Sequence, residues 1–135
     1  MLRNKNKEIV GAYRVGRVDE ILAKEGKSGL YTYTLFKYRD SFLNKLNPAL
    51  EMGRTFIREE YQKSYSALLL LWKGICQYVV KNMKYRYLFG AVSISKDYQS
   101  YSRKLLVSFL EMNHGIPGLS KMPIRQSSCV PMLYG

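Results

Sequence analysis

The feature that most constrains this chain is a long apolar helix set between two short strand-like segments. From Tyr65 to Met83 the 3.6-residue period holds, and the first turns carry Ala67, Leu68, Leu69, Leu70, Leu71 and Trp72, apolar on almost every side. Ser64 is the expected N-cap. Before the helix stands Ala49–Ile57 (ALEMGRTFI), a strand pattern with one internal glycine; after it stands Arg86–Ile94 (RYLFGAVSI). Strand, buried helix and strand in that order make a βαβ unit with two parallel strands and a right-handed crossover. The fold class is therefore α/β (α+β) with a mixed sheet.

Glu8–Arg17 and Leu30–Tyr38, rich in β-branched and aromatic residues, are expected to extend the sheet. Short helices are expected over Val18–Lys24 and Phe42–Leu46, the second stopped at Asn47-Pro48. Tyr98–Asn113 reads as an amphipathic helix with Leu105, Leu106, Phe109 and Leu110 inward. Residues 1–114 form the expected core, and 115–135, with its prolines and glycines, an irregular tail.

At 135 residues the chain is one domain at most. Its longest unbroken apolar run, Ala67–Trp72, is far short of the ~20 residues that span a bilayer, and no secretory signal pattern opens the chain. Cys76 and Cys129 are too few for a disulfide framework and stand in no metal-ligand spacing, so the expected compartment is the cytoplasm and no metal is expected. Cys76 is read as a small core residue and Cys129 as inert; His114 is explained by the helix C-terminus it closes.

The balance of 22 Lys+Arg against 10 Asp+Glu, a formal charge of +12, draws polyanions: nucleic acid, anionic lipid or an acidic protein. The basic residues are spread over the whole chain and no nucleic-acid-binding motif occurs, which argues against DNA or RNA as the partner.

In open sheets ligands gather at the carboxyl ends of the strands, where a helix N-terminus offers free N–H groups. Here that place is Ile57–Ser66. Arg58, Lys63, Ser64 and Ser66 there could hold one phosphate, or the segment is simply a capped helix with a solvated loop.

Gln62-Lys63-Ser64-Tyr65-Ser66-Ala67 occupies the place of the Q/R-x-x-G-x-G/A turn with which the GNAT acyltransferase superfamily grips coenzyme A. Gln62 and Ala67 match; the central glycine is Tyr65, which crowds the backbone where a pyrophosphate would lie. The wider stretch Ala49–Gln62, Leu68–Ile75 and Tyr87–Ser95 resembles a narrower branch, the hemolysin-like N-acyltransferases that make ornithine and glycine lipids from acyl-acyl carrier protein. The resemblance runs from about Ile9 to Glu111 and implies a GNAT-like sheet flanked by helices, lacking the N-terminal elements of full-length relatives. It implies no tightly bound cofactor, acyl-acyl carrier protein or acyl-CoA as co-substrate, and a cytoplasmic enzyme at the inner membrane surface. A degenerate scaffold that binds acyl carrier protein or anionic membrane without turnover is the competing reading.

These enzymes are in turn similar to acyl-homoserine-lactone synthases, which share an Arg in an early strand and a Glu-x-x-Arg in the central strand. Arg14 and the pair Glu51/Arg54 match. Residues three apart on a regular strand face opposite ways, so Glu51 and Arg54 share one site only across a bulge, and Gly53 lies between them. The alternative is a structural Glu–Arg ion pair within the sheet.

On the family chemistry, Glu51 deprotonates or orients the acceptor amine, and Arg14 and Arg54 hold an amino-acid carboxylate. Backbone amides near Thr55, Phe56 and Ile57 hold the oxyanion and acyl donor. Arg58, Gln62, Lys63, Ser64 and Ser66 take the phosphopantetheine, and Tyr98 is the candidate acid. Tyr31, Tyr33 and Tyr38 are expected to pack or to line an acyl tunnel.

Overall fold

A computed structural model describes residues 1–63, 65–95, 97–114, 123–125 and 129–134. The strands are β1 (Leu2–Arg3), β2 (Ile9–Arg17), β3 (Phe36–Tyr38), β4 (Ala49–Ile57), β5 (Tyr87–Ser93), β6 (Pro123–Arg125) and β7 (Cys129–Tyr134). The helices are α1 (Val18–Glu25), α2 (Asp40–Leu46), α3 (Glu59–Gln62), α4 (Tyr65–Lys81) and α5 (Ser100–His114). A five-stranded mixed sheet has the order β1-β2-β4-β5-β7, and β3 and β6 form a separate antiparallel pair. β4 runs antiparallel to β2 and parallel to β5, with α4 as the crossover.

Central strand β4 carries the expected βαβ unit, and its first half is buried on both faces. Ala49 and Glu51 point one way and Leu50 and Met52 the other, as strand alternation requires. On the first face Ala49 joins Val18, Leu30, Phe36, Tyr38, Phe42, Leu43, Leu46 and Phe89 in the main core. Tyr38 stacks on Phe42 with ring centroids 5.1 Å apart, and Phe89 meets both rings edge-on. Against β2 packs one side of α4: Ala67, Leu71 and Ile75, at helical spacing, are buried, and Trp72 meets Tyr13 edge-on.

Several expectations change. Leu30–Tyr38 is not one strand. It is a 3-10 turn over Tyr31–Thr34 followed by the short β3, which pairs with β6 and does not extend the main sheet. The reason is long-range: the Tyr31 and Thr32 amides that a ladder would use are bound by the Glu51 carboxylate.

α4 is not buried all round. Leu68, Leu69 and Leu70 are exposed, as is Cys76, because one sheet covers only one side of a helix. On α5 likewise, Leu105, Leu106 and Phe109 face outward, and the helix starts at Ser100, leaving Tyr98 in the turn ahead of it. The segment read as an irregular tail supplies β6 and β7, and β7 pairs with β5 from Leu88↔Tyr134 to Ser93↔Cys129. Ser64, expected as cap and phosphate ligand, lies outside the described residues, as do the side chains of His114 and Cys129.

Candidate active site

The β2–β4 register slips between Tyr13 and Arg14: Tyr13 faces Thr55 and Arg14 faces Gly53, so Arg54 is the extra residue of a bulge. Its φ is +26°, in the left-handed region that L-residues other than Asn and Asp seldom occupy. The bulge undoes the alternation. Arg54 comes round to the Glu51 face, where its guanidinium carbon lies 5.1 Å from the centroid of the Tyr31 ring. From β2 the Arg14 guanidinium reaches the same ring at 5.7 Å and stands 3.6 Å from Glu51 Oε2.

Glu51 lies beneath this cluster, 1% exposed. Its Oε1 accepts from the Thr32 N–H at 2.7 Å and the Thr32 hydroxyl at 2.6 Å, and its Oε2 accepts from the Tyr31 N–H at 3.1 Å. A buried carboxylate needs such compensation, and here it has three donors and a cation. Tyr38 closes the network from below. Burial pushes its hydroxyl well above the usual tyrosine range, against the opposing effect of the Thr32 side chain, and the nearby Glu51 charge adds to the rise.

The ion pair to Glu51 thus comes from Arg14, while Arg54 meets the Tyr31 ring. Within the cluster two guanidinium charges stand against one carboxylate, leaving one positive charge. Arg14 also lines an open groove of about 290 Å³ between β2 and α1, shared with Gly16, Arg17, Glu20 and Lys24. Arg17 and Glu20 are paired there at 2.8 Å, whereas roughly half of the Arg14 side chain is exposed.

Beyond the bulge β4 changes character. Its pairing with β5 stops at Met52↔Gly90, so residues 53–57 are laddered to β2 alone among the described residues, and Thr55 and Phe56 are exposed. The strands diverge there and leave a gap.

At the far end of β4, the Gln62 side-chain amide donates to the Ile57 carbonyl at 2.8 Å and pins the start of α3. Arg58 is paired with Glu60 at 2.5 Å and with Glu8 at 3.9 Å. Lys63, in the turn that follows α3, and Ser66, in the first turn of α4, are exposed. The contacts that join Arg14, Tyr31, Glu51 and Arg54 do not reach Tyr98, which is 59% exposed. Among the described residues no group of three or more His, Cys, Asp or Glu could hold a metal ion, and no helix is long and apolar enough to cross a membrane.

Sequence reasoning missed Tyr31. It is one of 12 tyrosines and stands in no motif; its place in the cluster is visible only once the bulge and the Glu51 hydrogen bonds bring its ring to both guanidinium groups.

Two curated proteins are similar to this chain over most of its length. A glycine N(alpha)-acyltransferase of Phocaeicola vulgatus is 33% identical over 116 residues, covering 80% of this chain and 36% of that protein. One of the same name from Bacteroides thetaiotaomicron is 31% identical over 112 residues, covering 77% of this chain and 33% of that protein. The chain thus spans about a third of the length of the curated relatives it matches. No solved structure matches it. The family model described as an acetyltransferase (GNAT) domain matches residues 1–73, more than half of the chain and the part that holds β2, the Tyr31 turn and the β4 bulge. With a mixed sheet whose two parallel central strands part beyond a bulge, this chain belongs to the GNAT acyltransferase family.

Proposed function

We propose that the chain is an N-acyltransferase core that moves a fatty acyl group from a thioester to the amine of an amino acid. The observation that carries this reading is the gathering of Arg14 and Arg54 over Tyr31 beside the gap between β4 and β5. A carboxylate-bearing acceptor fits the unbalanced positive charge, and an acyl thioester fits the gap. Both curated relatives are named glycine N(alpha)-acyltransferase, which makes glycine the acceptor to try first.

The neutral amine attacks the thioester carbonyl carbon. The C–N bond forms, the C–S bond breaks, the amine loses a proton, and the thiolate takes one as it leaves. Alternate backbone N–H groups of residues 55–57, those that point away from β2 on the side of β4 without a β5 ladder, are suited to the oxyanion. Arg14 and Arg54 hold the acceptor carboxylate, and Tyr98 is the tyrosine to test as acid to the thiolate.

For the donor we favour acyl-acyl carrier protein over acyl-CoA, and a place in aminolipid synthesis within the hemolysin-like branch. Acyl carrier proteins are acidic, the chain carries +12, and Tyr65 replaces the glycine of the coenzyme A turn. Anionic membrane is the corresponding surface for a lipid product.

The test is direct. Purified chain is incubated with glycine and palmitoyl-acyl carrier protein or palmitoyl-CoA, and N-palmitoylglycine is sought by mass spectrometry. Formation that falls with Arg14→Leu and Arg54→Leu supports the reading; no product from either donor rejects it for this chain.

A further inference from the structure

We propose that Tyr31 is the positioning residue of the acceptor clamp: its ring holds the Arg14 and Arg54 guanidinium groups together, and Glu51 sets where that ring stands. This rests on the reading that the acceptor carries a carboxylate.

Two guanidinium groups on one side of a small site repel each other, and long arginine side chains lose much rotamer freedom when fixed. An aromatic ring opposes both effects. Its π-face attracts each cation while leaving the N–H edges free to bind a carboxylate in bidentate fashion. Tyr31 meets both arginines, at 5.7 and 5.1 Å, and it is the bulge that turns Arg54 toward the ring.

The ring is fixed from two directions. Its backbone is tied through the Tyr31 and Thr32 amides to Glu51, which is itself inside the fold and 3.6 Å from Arg14. Its edge lies against the bulge at Gly53, where a Cβ would stand 3.0 Å from Tyr31 Cδ1. A side chain there would shift the ring. Glu51 therefore acts on the acceptor through Tyr31 and Arg14: both its oxygens are occupied by the turn and the guanidinium.

Glycine affinity, measured by calorimetry on the purified chain, and the KM values of the transfer reaction together test this. Tyr31→Leu should weaken glycine binding roughly tenfold and raise the glycine KM to match, with the thioester KM little changed. Tyr31→Phe keeps the ring and should restore most of the affinity. Glycinamide, which lacks the carboxylate, should be insensitive to either change. Gly53→Ala, which displaces the ring without removing it, should weaken glycine binding several-fold and serves where Tyr31→Leu does not fold. Wild-type glycine affinity in Tyr31→Leu or Gly53→Ala, or a Phe variant as weak as the Leu variant, would overturn the proposal, as would a wild-type chain that binds no glycine. A chain that binds glycine through Tyr31 yet transfers no acyl group leaves the clamp standing and removes the acyltransferase reading.

Discussion

The Thr32 hydroxyl donates to Glu51 Oε1 at 2.6 Å, a buried bond between a turn and a strand nineteen residues apart in sequence. It joins the two N–H donors that make Glu51 the anchor of the Tyr31–Thr34 turn. A hydrogen bond to a buried charge is among the stronger kinds, and its loss leaves the acceptor short of a partner. Thr32→Val should cost about 1–3 kcal/mol in urea unfolding. A cost below ~0.5 kcal/mol would show that the hydroxyl is not needed to hold Glu51.

Glu51→Gln distinguishes an anchor from a base. The amide can offer its oxygen to Thr32, but its NH₂ group then faces the Tyr31 N–H and the Arg14 guanidinium, all donors. The expected outcome is a raised glycine KM with lower stability, while the pH dependence of the transfer rate keeps its shape. Loss of the acidic limb of that profile, with the melt unchanged, would assign Glu51 as the general base instead.

Arg54 occupies its left-handed conformation at a cost that glycine would not bear. Arg54→Gly and Arg54→Ala both remove the guanidinium and should weaken glycine binding alike. Their stabilities should differ, with the glycine variant about 1 kcal/mol the more stable by thermal melting. Equal melts would mean that the bulge is held in another conformation.

Much of the frame was legible because it rests on local pattern. β4, α4 and β5 follow from runs of apolar residues, and the need for a bulge follows from asking how Glu51 and Arg54 could share a face. What was not legible depends on distant partners. The Tyr31–Thr34 turn has strand-forming residues, yet its amides go to a carboxylate twenty residues on. Periodicity finds the apolar stripe of α5, but cannot say whether another layer covers Leu105 and Phe109. The strand after Cys129 carries Pro131, which local rules count against a strand, and a position opposite Ala91 at the sheet edge accommodates it.

The start of α1 is tied to the α4–β5 connection by Asp19, which accepts from Lys84 Nζ at 2.7 Å and from the Tyr85 hydroxyl at 3.2 Å. Burial acts to raise the Asp19 carboxyl, but the bonds from Lys84, the Glu20 backbone and Tyr85 outweigh it and hold it below its usual value. A lowered carboxyl stabilises the fold above its unfolded value near 3.8, and that contribution is lost as pH falls through the folded value. Lys84, raised by its bond to Asp19, and Tyr85, raised by burial, act in the opposite range: their contribution is full below about pH 10 and is lost in alkali. Asp19→Asn should flatten the acid side of a plot of melting temperature against pH between about 2 and 5. An unchanged slope there would place the acid sensitivity elsewhere.

Gly90 stands at the last β4–β5 pair, opposite Met52, where the two strands begin to part. A Cβ built there would lie 2.6 Å from the Met52 carbonyl oxygen and 3.1 Å from Met52 Cβ. The first of these is backbone, so the strands themselves must move. Gly90→Ala should therefore lower stability by about 1–3 kcal/mol and, by prising the gap open, change the KM for the acyl donor more than that for glycine. Gly74, on the exposed side of α4, has nothing within 4 Å of its Cβ position, and Gly74→Ala should raise stability by about 0.5–1 kcal/mol through helix propensity alone. Urea midpoints for the two variants separate the effects: similar changes of one sign in both would show that the Gly90 contact with Met52 is not what limits the approach of β5 to β4.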